Sequence, residues 1–295
     1  MLKISIIASL ATVTSLLSPV EKDCTGFGFQ EVVYTFKQTG TMPPQVNESS
    51  SLTYGSAKDL FYTNNDSGGR PIVYEIDKKG TLKDSIVIPD ANNIDWEDLT
   101  RDGAGNLCIG DFGNNNNKRK NLRIYKYNPV SKSTDIVFFA YEDQESFPPL
   151  KSEKDFDCEA FIWYKNNFYL FSKNRSTNPV KVYIIPDKPG EQIAKKIAEI
   201  PLEGMITSAA INKDNNQLAL LSYGRIYIFK SDNQKDQLSL TPLYCTPFAI
   251  GIQSEGLEYL DGNKLIISNE QGDIFEAGTN KPKDTGKSKT GSQKK

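Results

Sequence analysis

The sequence contains no histidine among its 295 residues. This absence excludes Ser-His-Asp and Cys-His catalytic triads, and it excludes metal sites that depend on imidazole nitrogen. Any metal ion would therefore be held by oxygen ligands or by cysteine sulfur. Carboxylates, asparagine side chains and backbone carbonyls are the ligands that calcium and magnesium prefer.

Cysteine is scarce as well, with four residues in the chain: Cys24, Cys108, Cys158 and Cys245. In a secreted protein four cysteines allow up to two disulfides, in three pairings. The repeats described below favour a Cys24–Cys245 pair and a Cys108–Cys158 pair. Four buried free thiols are the alternative.

Long hydrophobic runs are missing, apart from one uncharged stretch near the N-terminus. Lys3 is followed by residues 4–20 without a charge, and this stretch is too short and too polar for a confident membrane span. The pattern predicts a signal peptide over residues 1–20 and a secreted protein, extracellular or periplasmic. A buried first strand is the alternative interpretation.

Charge is unevenly distributed. The net charge is −2, but residues 279–295 carry six lysines and one aspartate without an apolar side chain. We expect this segment to be a disordered, lysine-rich tail. The remaining chain is acidic, which argues against nucleic-acid binding, because phosphate recognition needs a concentrated basic surface.

A short motif recurs along the chain at a nearly constant interval. Its central positions are separated by 47, 62, 49 and 47 residues. A repeat of this length that consists of short strands predicts a β-propeller. The aligned positions are Ser50, Glu97, Glu159, Ser208 and Glu255.

Each repeat contains four short strand-forming segments, except that the fifth lacks its last one. Residues 31–36 form a strongly β-forming segment that would supply it. The sequence therefore predicts an all-β domain over residues 25–278, with five four-stranded blades and a ring closed by an N-terminal strand. Six blades, one of them degenerate, is the alternative. We attribute the long 62-residue interval to a connection over 142–155 and to a solvated, asparagine-rich loop near residues 114–121.

First strands line the axis of a propeller, so Glu97, Glu159 and Glu255 should converge there. Three carboxylates at one axis repel each other unless a cation or protons neutralise them. We therefore predict a calcium ion bound by these residues with help from oxygen ligands at the ends of second strands. Those helpers are Asp66, Asp111 and Asn269. In the alternative, each glutamate accepts hydrogen bonds from the backbone of a neighbouring blade and locks the blades together.

Several segments carry a family resemblance: 48–52 (Glu-Ser-Ser-Ser-Leu), 64–69 (Asn-Asn-Asp-Ser-Gly-Gly), 92–99, which includes Asp-Trp-Glu-Asp-Leu, and 109–115 (Ile-Gly-Asp-Phe-Gly-Asn-Asn). They resemble motifs of a family of uncharacterised secreted bacterial β-propeller proteins. The Glu-Gly-Leu at 255–257 is similar to a motif of the NHL, SMP-30/strictosidine synthase-like and esterase-like phytase propellers. The resemblance implies axial calcium, and in some members lactonase or phosphatase activity.

Two functions follow as hypotheses. The first is a secreted, monomeric binding or scaffold protein with a protein or glycan partner on a propeller face and a structural calcium ion. The second is a calcium-dependent hydrolase of phosphate or lactone esters, in which a glutamate of the axis acts as the base. No Gly-x-Ser-x-Gly motif supplies a nucleophile, and Lys173 and Arg175 are the only basic residues placed toward the axis.

Overall fold

Short runs of β-branched and aromatic residues become strands throughout the chain. The computed structural model describes residues 28–31, 33–173, 175, 177–247 and 253–279. A short 3-10 helix, Lys151–Glu153, interrupts them. The strands are β1 (Gln30–Glu31), β2 (Tyr34–Thr41), β3 (Thr53–Tyr54), β4 (Leu60–Asn64), β5 (Ile72–Asp77), β6 (Leu82–Val87), β7 (Trp96–Arg101), β8 (Leu107–Asp111), β9 (Leu122–Asn128), β10 (Ser133–Tyr141), β11 (Cys158–Tyr164), β12 (Asn167–Ser172), β13 (Val180–Pro186), β14 (Gly190–Ile200), β15 (Ile206–Asn212), β16 (Gln217–Ser222), β17 (Arg225–Ser231), β18 (Leu240–Pro247), β19 (Ser254–Asp261), β20 (Lys264–Asn269) and β21 (Asp273–Thr279).

Antiparallel pairing groups the described strands into five four-stranded units. They are β3 to β6, β7 to β10, β11 to β14, β15 to β18, and β19 to β21 completed by β2. The first strands form a ring: β3 contacts β7 and β19, β7 contacts β11, β11 contacts β15, and β15 contacts β19. A ring of antiparallel sheets around their first strands is a β-propeller, so the predicted fold class is confirmed.

The N-terminal strand closes the ring, as predicted. β2 pairs antiparallel with β21, from Tyr34 opposite Thr279 to Thr41 opposite Asp273. The strand begins later and ends later than the predicted segment 31–36. Glu31 instead belongs to β1, which pairs in parallel with β18 of the fourth unit. The N-terminal segment therefore ties the fourth and fifth units together.

The first strands run in the same direction around the axis. The backbone N–H groups of Phe161 and Trp163 donate to the side chains of Asp98 and Thr100, so residue numbers rise together along β7 and β11. All first strands therefore begin at one face of the disc, which we call the strand-start face. They end at the opposite face, the strand-end face.

Large apolar side chains fill the space between neighbouring units. Between the third and fourth units, for example, Tyr169 and Phe171 share a buried cluster with Leu220 and Phe229. Such interdigitated packing stabilises the ring through the burial of apolar surface.

The second and third units are joined by an additional strand pair. Outer strands β10 and β14 pair in parallel, from Val137 opposite Gly190 to Tyr141 opposite Ala194. The connection after β10 is anchored by Asp143, which accepts hydrogen bonds from Lys181 at 3.0 Å and from Tyr183 at 2.9 Å. Part of the long repeat interval therefore lies in this connection.

The predicted Cys108–Cys158 disulfide is wrong, because both residues are buried free thiols. Cys158 Sγ donates within its own unit, to the carbonyl oxygens of Ala160 and Phe171. Cys24 lies outside the described residues, so the Cys24–Cys245 pair stays a prediction. Cys245 itself is buried in β18.

The predicted signal peptide over residues 1–20 and nearly all of the lysine-rich tail over residues 279–295 lie outside the described residues. In the part of the chain that is described, no helix is long and apolar enough to cross a bilayer.

Asp98 connects three units at the axis. Its carboxylate is fully buried and accepts hydrogen bonds from backbone N–H of Leu99 at 2.9 Å, Phe161 at 3.3 Å and Ala209 at 3.2 Å. The Ser208 hydroxyl lies 3.2 Å away. The blade-locking role that was considered for the repeat glutamates therefore belongs to the residue that follows Glu97. Burial raises the pKa of Asp98, and these donors oppose the rise.

Glu258 makes a similar connection between the fifth and first units. Its carboxyl group accepts hydrogen bonds from Thr53 Oγ1 at 3.2 Å and from the backbone N–H of Tyr259 at 2.8 Å. Burial raises the pKa of Glu258 from 4.5 to about 8. The folded protein therefore keeps a proton here that the unfolded chain releases at lower pH.

Retention of this proton predicts how the stability of the protein depends on pH. The contribution of Glu258 to stability is present in acid and is lost as pH rises from about 4.5 to about 8, since the folded state binds the extra proton in that range. As pH rises through this range, we expect the melting temperature of Glu258→Gln to fall less than the melting temperature of the natural chain. Calorimetric melting curves at several pH values measure the difference. Identical pH dependence of the two proteins would contradict the prediction.

Candidate functional site

The repeat glutamates converge at the strand-start face, as the spacing predicts. Glu97, Glu159 and Glu255 are each the second residue of a first strand, in β7, β11 and β19. Each side chain is buried. Because the first strands are parallel, equal positions bring the three carboxyl groups to one end of the axis.

Two of these glutamates are occupied by protein donors. Glu159 forms an ion pair with Lys173, and Arg175 lies 3.5 Å from its other oxygen. Glu255 accepts a hydrogen bond of 2.5 Å from the Tyr223 hydroxyl. Lys173 also donates to Tyr223 at 3.2 Å, so one lysine connects both carboxyl groups. Among the described residues, no backbone N–H of a neighbouring blade donates to Glu159 or Glu255.

Glu97 differs, since its carboxyl group receives no hydrogen bond from the described residues and is only 5% exposed. It lies beside Asp66 and Asp95, both partly buried. One carboxylate oxygen from each residue falls within 4.8 Å of the other two. We call Asp66, Asp95 and Glu97 the axial acidic cluster.

Local structure explains how the cluster forms. Asp66 follows β4, and Asp95 immediately precedes β7. Alternation along an extended chain places Asp95 on the same side as Glu97. Gly113 lies against both carboxyl groups, where a Cβ would overlap Glu97 Oε1. A side chain at this position would therefore force the carboxyl groups of the cluster to shift.

Burial and mutual repulsion make the cluster a strong proton acceptor. Desolvation raises the pKa of Glu97 well above its usual value, and the charges of Glu159, Asp66 and Asp95 add to the rise. Desolvation, followed by the charge of Asp66, raises the pKa of Asp95 to about 6. The pKa of Asp66 is also raised, mainly by burial. Such a group of carboxylates favours either protons or a cation.

Two of the predicted ligands are committed elsewhere. Asp111 is fully buried and pairs with Arg119 at 2.8 Å and with Arg123 at 3.6 Å. It also accepts a hydrogen bond from the backbone N–H of Asp95 at 3.1 Å, and so helps to position Asp95 in the cluster.

Asn269 accepts a hydrogen bond from Asp273 N–H at 2.8 Å within its own turn. Only Asp66 and Glu97 of the six predicted residues join one cluster.

Asp95 was missed, although the sequence contains a signal for it. Asp-x-Glu occurs at 95–97 and again at 157–159. The second pair is neutralised, because Asp157 accepts hydrogen bonds of 2.5 Å from Arg175 Nε and 2.8 Å from Asn114 N–H. Among the described residues, the first pair has one weak ion pair, Arg119 at 4.0 Å from Asp95, while Lys173 and Arg175 act on Glu97 only through longer-range charge. Cation binding is therefore favoured at the first pair.

The asparagine-rich loop is not a simple solvated turn, contrary to the prediction. Asn114 and Asn117 are buried. Asn117 accepts a hydrogen bond from Phe156 N–H at 2.9 Å, and Asn114 donates to the Phe156 carbonyl at 3.1 Å. Arg119 donates to the Gly113 carbonyl at 2.8 Å. These hydrogen bonds connect the loop to Phe156 and to Gly113, the glycine that lies against the axial acidic cluster.

Comparisons with known proteins add little beyond the architecture. No protein-family model matches the sequence. No curated protein matches it either. Similar solved structures include virginiamycin B lyase from Staphylococcus aureus (9% identity, TM-score 0.43, covering 83% of this chain and 99% of that one), an auxiliary nutrient binding protein from Bacteroides thetaiotaomicron (11%, 0.45, 84% and 77%) and a putative gluconolactonase (8%, 0.48, 84% and 92%). Every TM-score here is below 0.5, so no function is transferred.

Proposed function

We propose that this chain is a binding protein that holds a calcium ion at the axial acidic cluster. The observation that carries the proposal is Glu97, a buried carboxyl group that accepts no hydrogen bond from the described residues and lies beside Asp66 and Asp95. Three carboxylates are hard oxygen ligands, which calcium prefers. A cation there would relieve the repulsion that raises the pKa of Glu97.

The proposed role of the ion is to hold the first two units together at the strand-start face. Asp66 belongs to the first unit, whereas Asp95 immediately precedes β7 of the second unit and Glu97 lies within it. In this proposal the protein is secreted, and its rigid faces bind a protein or glycan partner. The family resemblance of the sequence supports secretion and axial calcium as further proposals.

A second candidate function is calcium-dependent hydrolysis of an anionic ester. One observation favours it: Lys173 and Arg175 lie beside Glu159 at the same face as the cluster. Both could bind a negatively charged group next to the cation. However, Glu159 is ion-paired with Lys173, so it is poorly suited to accept a proton, and Glu97 would have to act as the base.

Calorimetric titration of the protein with calcium tests the proposal. We expect heat of binding and a raised melting temperature, because a ligand at 100 times its Kd stabilises the folded state by about 2.7 kcal/mol. Glu97→Gln should abolish both effects. It should not lower the melting temperature without calcium, since burial disfavours the charged form of Glu97 and an amide of the same shape carries no charge.

Two matched variants control the titration. Glu191→Gln alters an exposed glutamate on β14, the outer strand of the third unit. Glu255→Gln alters the glutamate bound to Tyr223. Both should keep calcium binding within about threefold. The absence of binding heat and of a melting shift in the natural chain would overturn the calcium proposal. Equal loss of calcium binding in Glu97→Gln, Glu191→Gln and Glu255→Gln would show that Glu97 has no specific role in it.

A further inference from the structure

The strand-end face has a cavity of its own. It has a volume of about 360 Å³ and is lined by the ends of the first strands and the turns that follow them. Four lining residues occupy the same repeat position, four residues after Ser50, Glu97, Glu159 and Ser208. They are Tyr54, Arg101, Trp163 and Asn212. At about 3.3 Å per residue, they lie about 13 Å along the strands from the repeat glutamates.

Trp163 forms a fixed aromatic surface in this cavity. Its indole N–H donates to Asp187 Oδ2 at 2.7 Å, so its only polar atom is satisfied. Gly103 lies against the ring edge, where a Cβ would be 2.5 Å from Cη2. The Lys213 ammonium lies 5.1 Å from the ring centroid, on an exposed side chain. The ring position is thus set before any ligand arrives.

Tyr54 supplies a second aromatic ring to the cavity. It is 45% exposed. Its ring stacks on Phe61, with centroids 6.3 Å apart and an interplanar angle of 29°. Phe61 is buried and holds one face of the tyrosine, which leaves the remaining surface for contact with a ligand.

The charged groups that line the cavity balance each other. Arg101 and Lys213 are positive, and Asp102 and Asp214 are negative. Arg101 donates to the carbonyls of Gly55 at 2.7 Å and Gly105 at 2.9 Å, which uses two of its five N–H donors.

Glu258 adds no full charge near neutral pH, because burial raises its pKa to about 8. A neutral ligand with many hydroxyl groups fits this lining better than an ion does.

We propose that this cavity binds a neutral saccharide unit. The size falls within the range of small-molecule sites, which combine a few polar groups with aromatic surface. A sugar ring has an apolar C–H face that packs on an aromatic ring, and hydroxyl groups at its edge that pair with donors and acceptors of both kinds. Trp163 and Tyr54 offer the first contact, and Arg101, Lys213 and Asp214 offer the second. This inference does not depend on the calcium site, which lies at the other face.

Fluorescence titration of the full chain with neutral sugars tests the inference. The probes are glucose, galactose, mannose, N-acetylglucosamine and their linear trisaccharides. Of the two tryptophans, Trp96 is fully buried with its N–H bonded to the Asn92 carbonyl. A change in emission on binding would therefore report Trp163. We expect saturable binding of at least one probe, confirmed by calorimetry.

Substitutions of the two aromatic residues test whether the sugar binds in this cavity. Trp163→Ala and the exposed-site variant Tyr54→Ala should each weaken binding about tenfold or more, a loss of about 1.4 kcal/mol. Glu97→Gln should leave sugar binding unchanged while it removes calcium binding. Should Trp163→Ala fail to fold, Tyr54→Ala still decides the result, because the Tyr54 side chain is 45% exposed and its loss leaves the buried Phe61 in place.

The outcomes are distinct. A trisaccharide that binds much more tightly than its monosaccharide indicates a glycan chain as the natural ligand, and equal affinities indicate a free sugar. No binding across the panel overturns the inference. So does tight binding of tetramethylammonium or of an acidic sugar with no binding of neutral ones, since a charged ligand would contradict the balanced lining.

Discussion

Replacement of Asp98 by alanine is expected to lower the free energy of unfolding by about 3–5 kcal/mol. The carboxylate is fully buried and accepts backbone N–H bonds from β7, β11 and β15. Alanine would leave these buried donors without an acceptor at the centre of the ring. Burial of each unpaired donor costs about 1–3 kcal/mol, and a shift of the strands would only partly relieve it.

Urea denaturation measures this loss, and two further variants interpret it. Asp98→Asn keeps an acceptor oxygen and should be destabilised less than the alanine variant. Asp84→Ala removes an exposed aspartate from outer strand β6 and should change stability by less than about 0.5 kcal/mol. A loss below about 1 kcal/mol for Asp98→Ala would show that the first strands are held together by apolar packing alone.

Replacement of Gly113 by alanine is expected to weaken calcium binding about 10- to 100-fold. A Cβ at this position would overlap Glu97 Oε1 and lie 2.6 Å from Asp95 Cγ. Both carboxyl groups would have to move away from their present positions, although neither is removed. The variant therefore tests whether the geometry of the cluster, and not only its charge, holds the ion.

Gly69→Ala provides the matched control, because Gly69 follows Asp66 by three residues but has open space around it. Its Cβ would meet only Asn93 Nδ2, at 3.9 Å. We expect unchanged calcium affinity in calorimetric titration, and melting curves without calcium show whether each variant is folded. Normal calcium affinity in a folded Gly113→Ala protein would place the ion outside the axial acidic cluster.

Much of the architecture could be predicted from the spacing of the repeats. A motif that returns after nearly the same number of residues returns to the same place in each unit, because every unit has the same strand order. This placed Glu97, Glu159 and Glu255 at one face. The missing last strand of the fifth unit likewise pointed to an N-terminal partner, and β2 pairs there.

The difference between the three glutamates could not be predicted, because their partners come from other parts of the fold. Lys173 follows β12 and reaches Glu159, whereas the Tyr223 hydroxyl reaches Glu255 from the turn after β16. Repeat spacing says where a carboxyl group lies, but it does not say which donors surround it. The ion pair of Asp111 with Arg119 could not be predicted for the same reason, because Arg119 lies in a loop whose shape the sequence does not specify.

By itself the sequence determined the fold class, the closure of the ring and the face at which acidic residues collect, because strand periodicity and repeat length are local properties of the chain. Only the tertiary structure decided that Asp98 locks the blades, that Cys108 and Cys158 stay apart as thiols, and that Glu97 accepts no hydrogen bond from the part of the chain that is described. Each of these depends on side chains brought together from distant strands, whose short-range contacts no local pattern encodes.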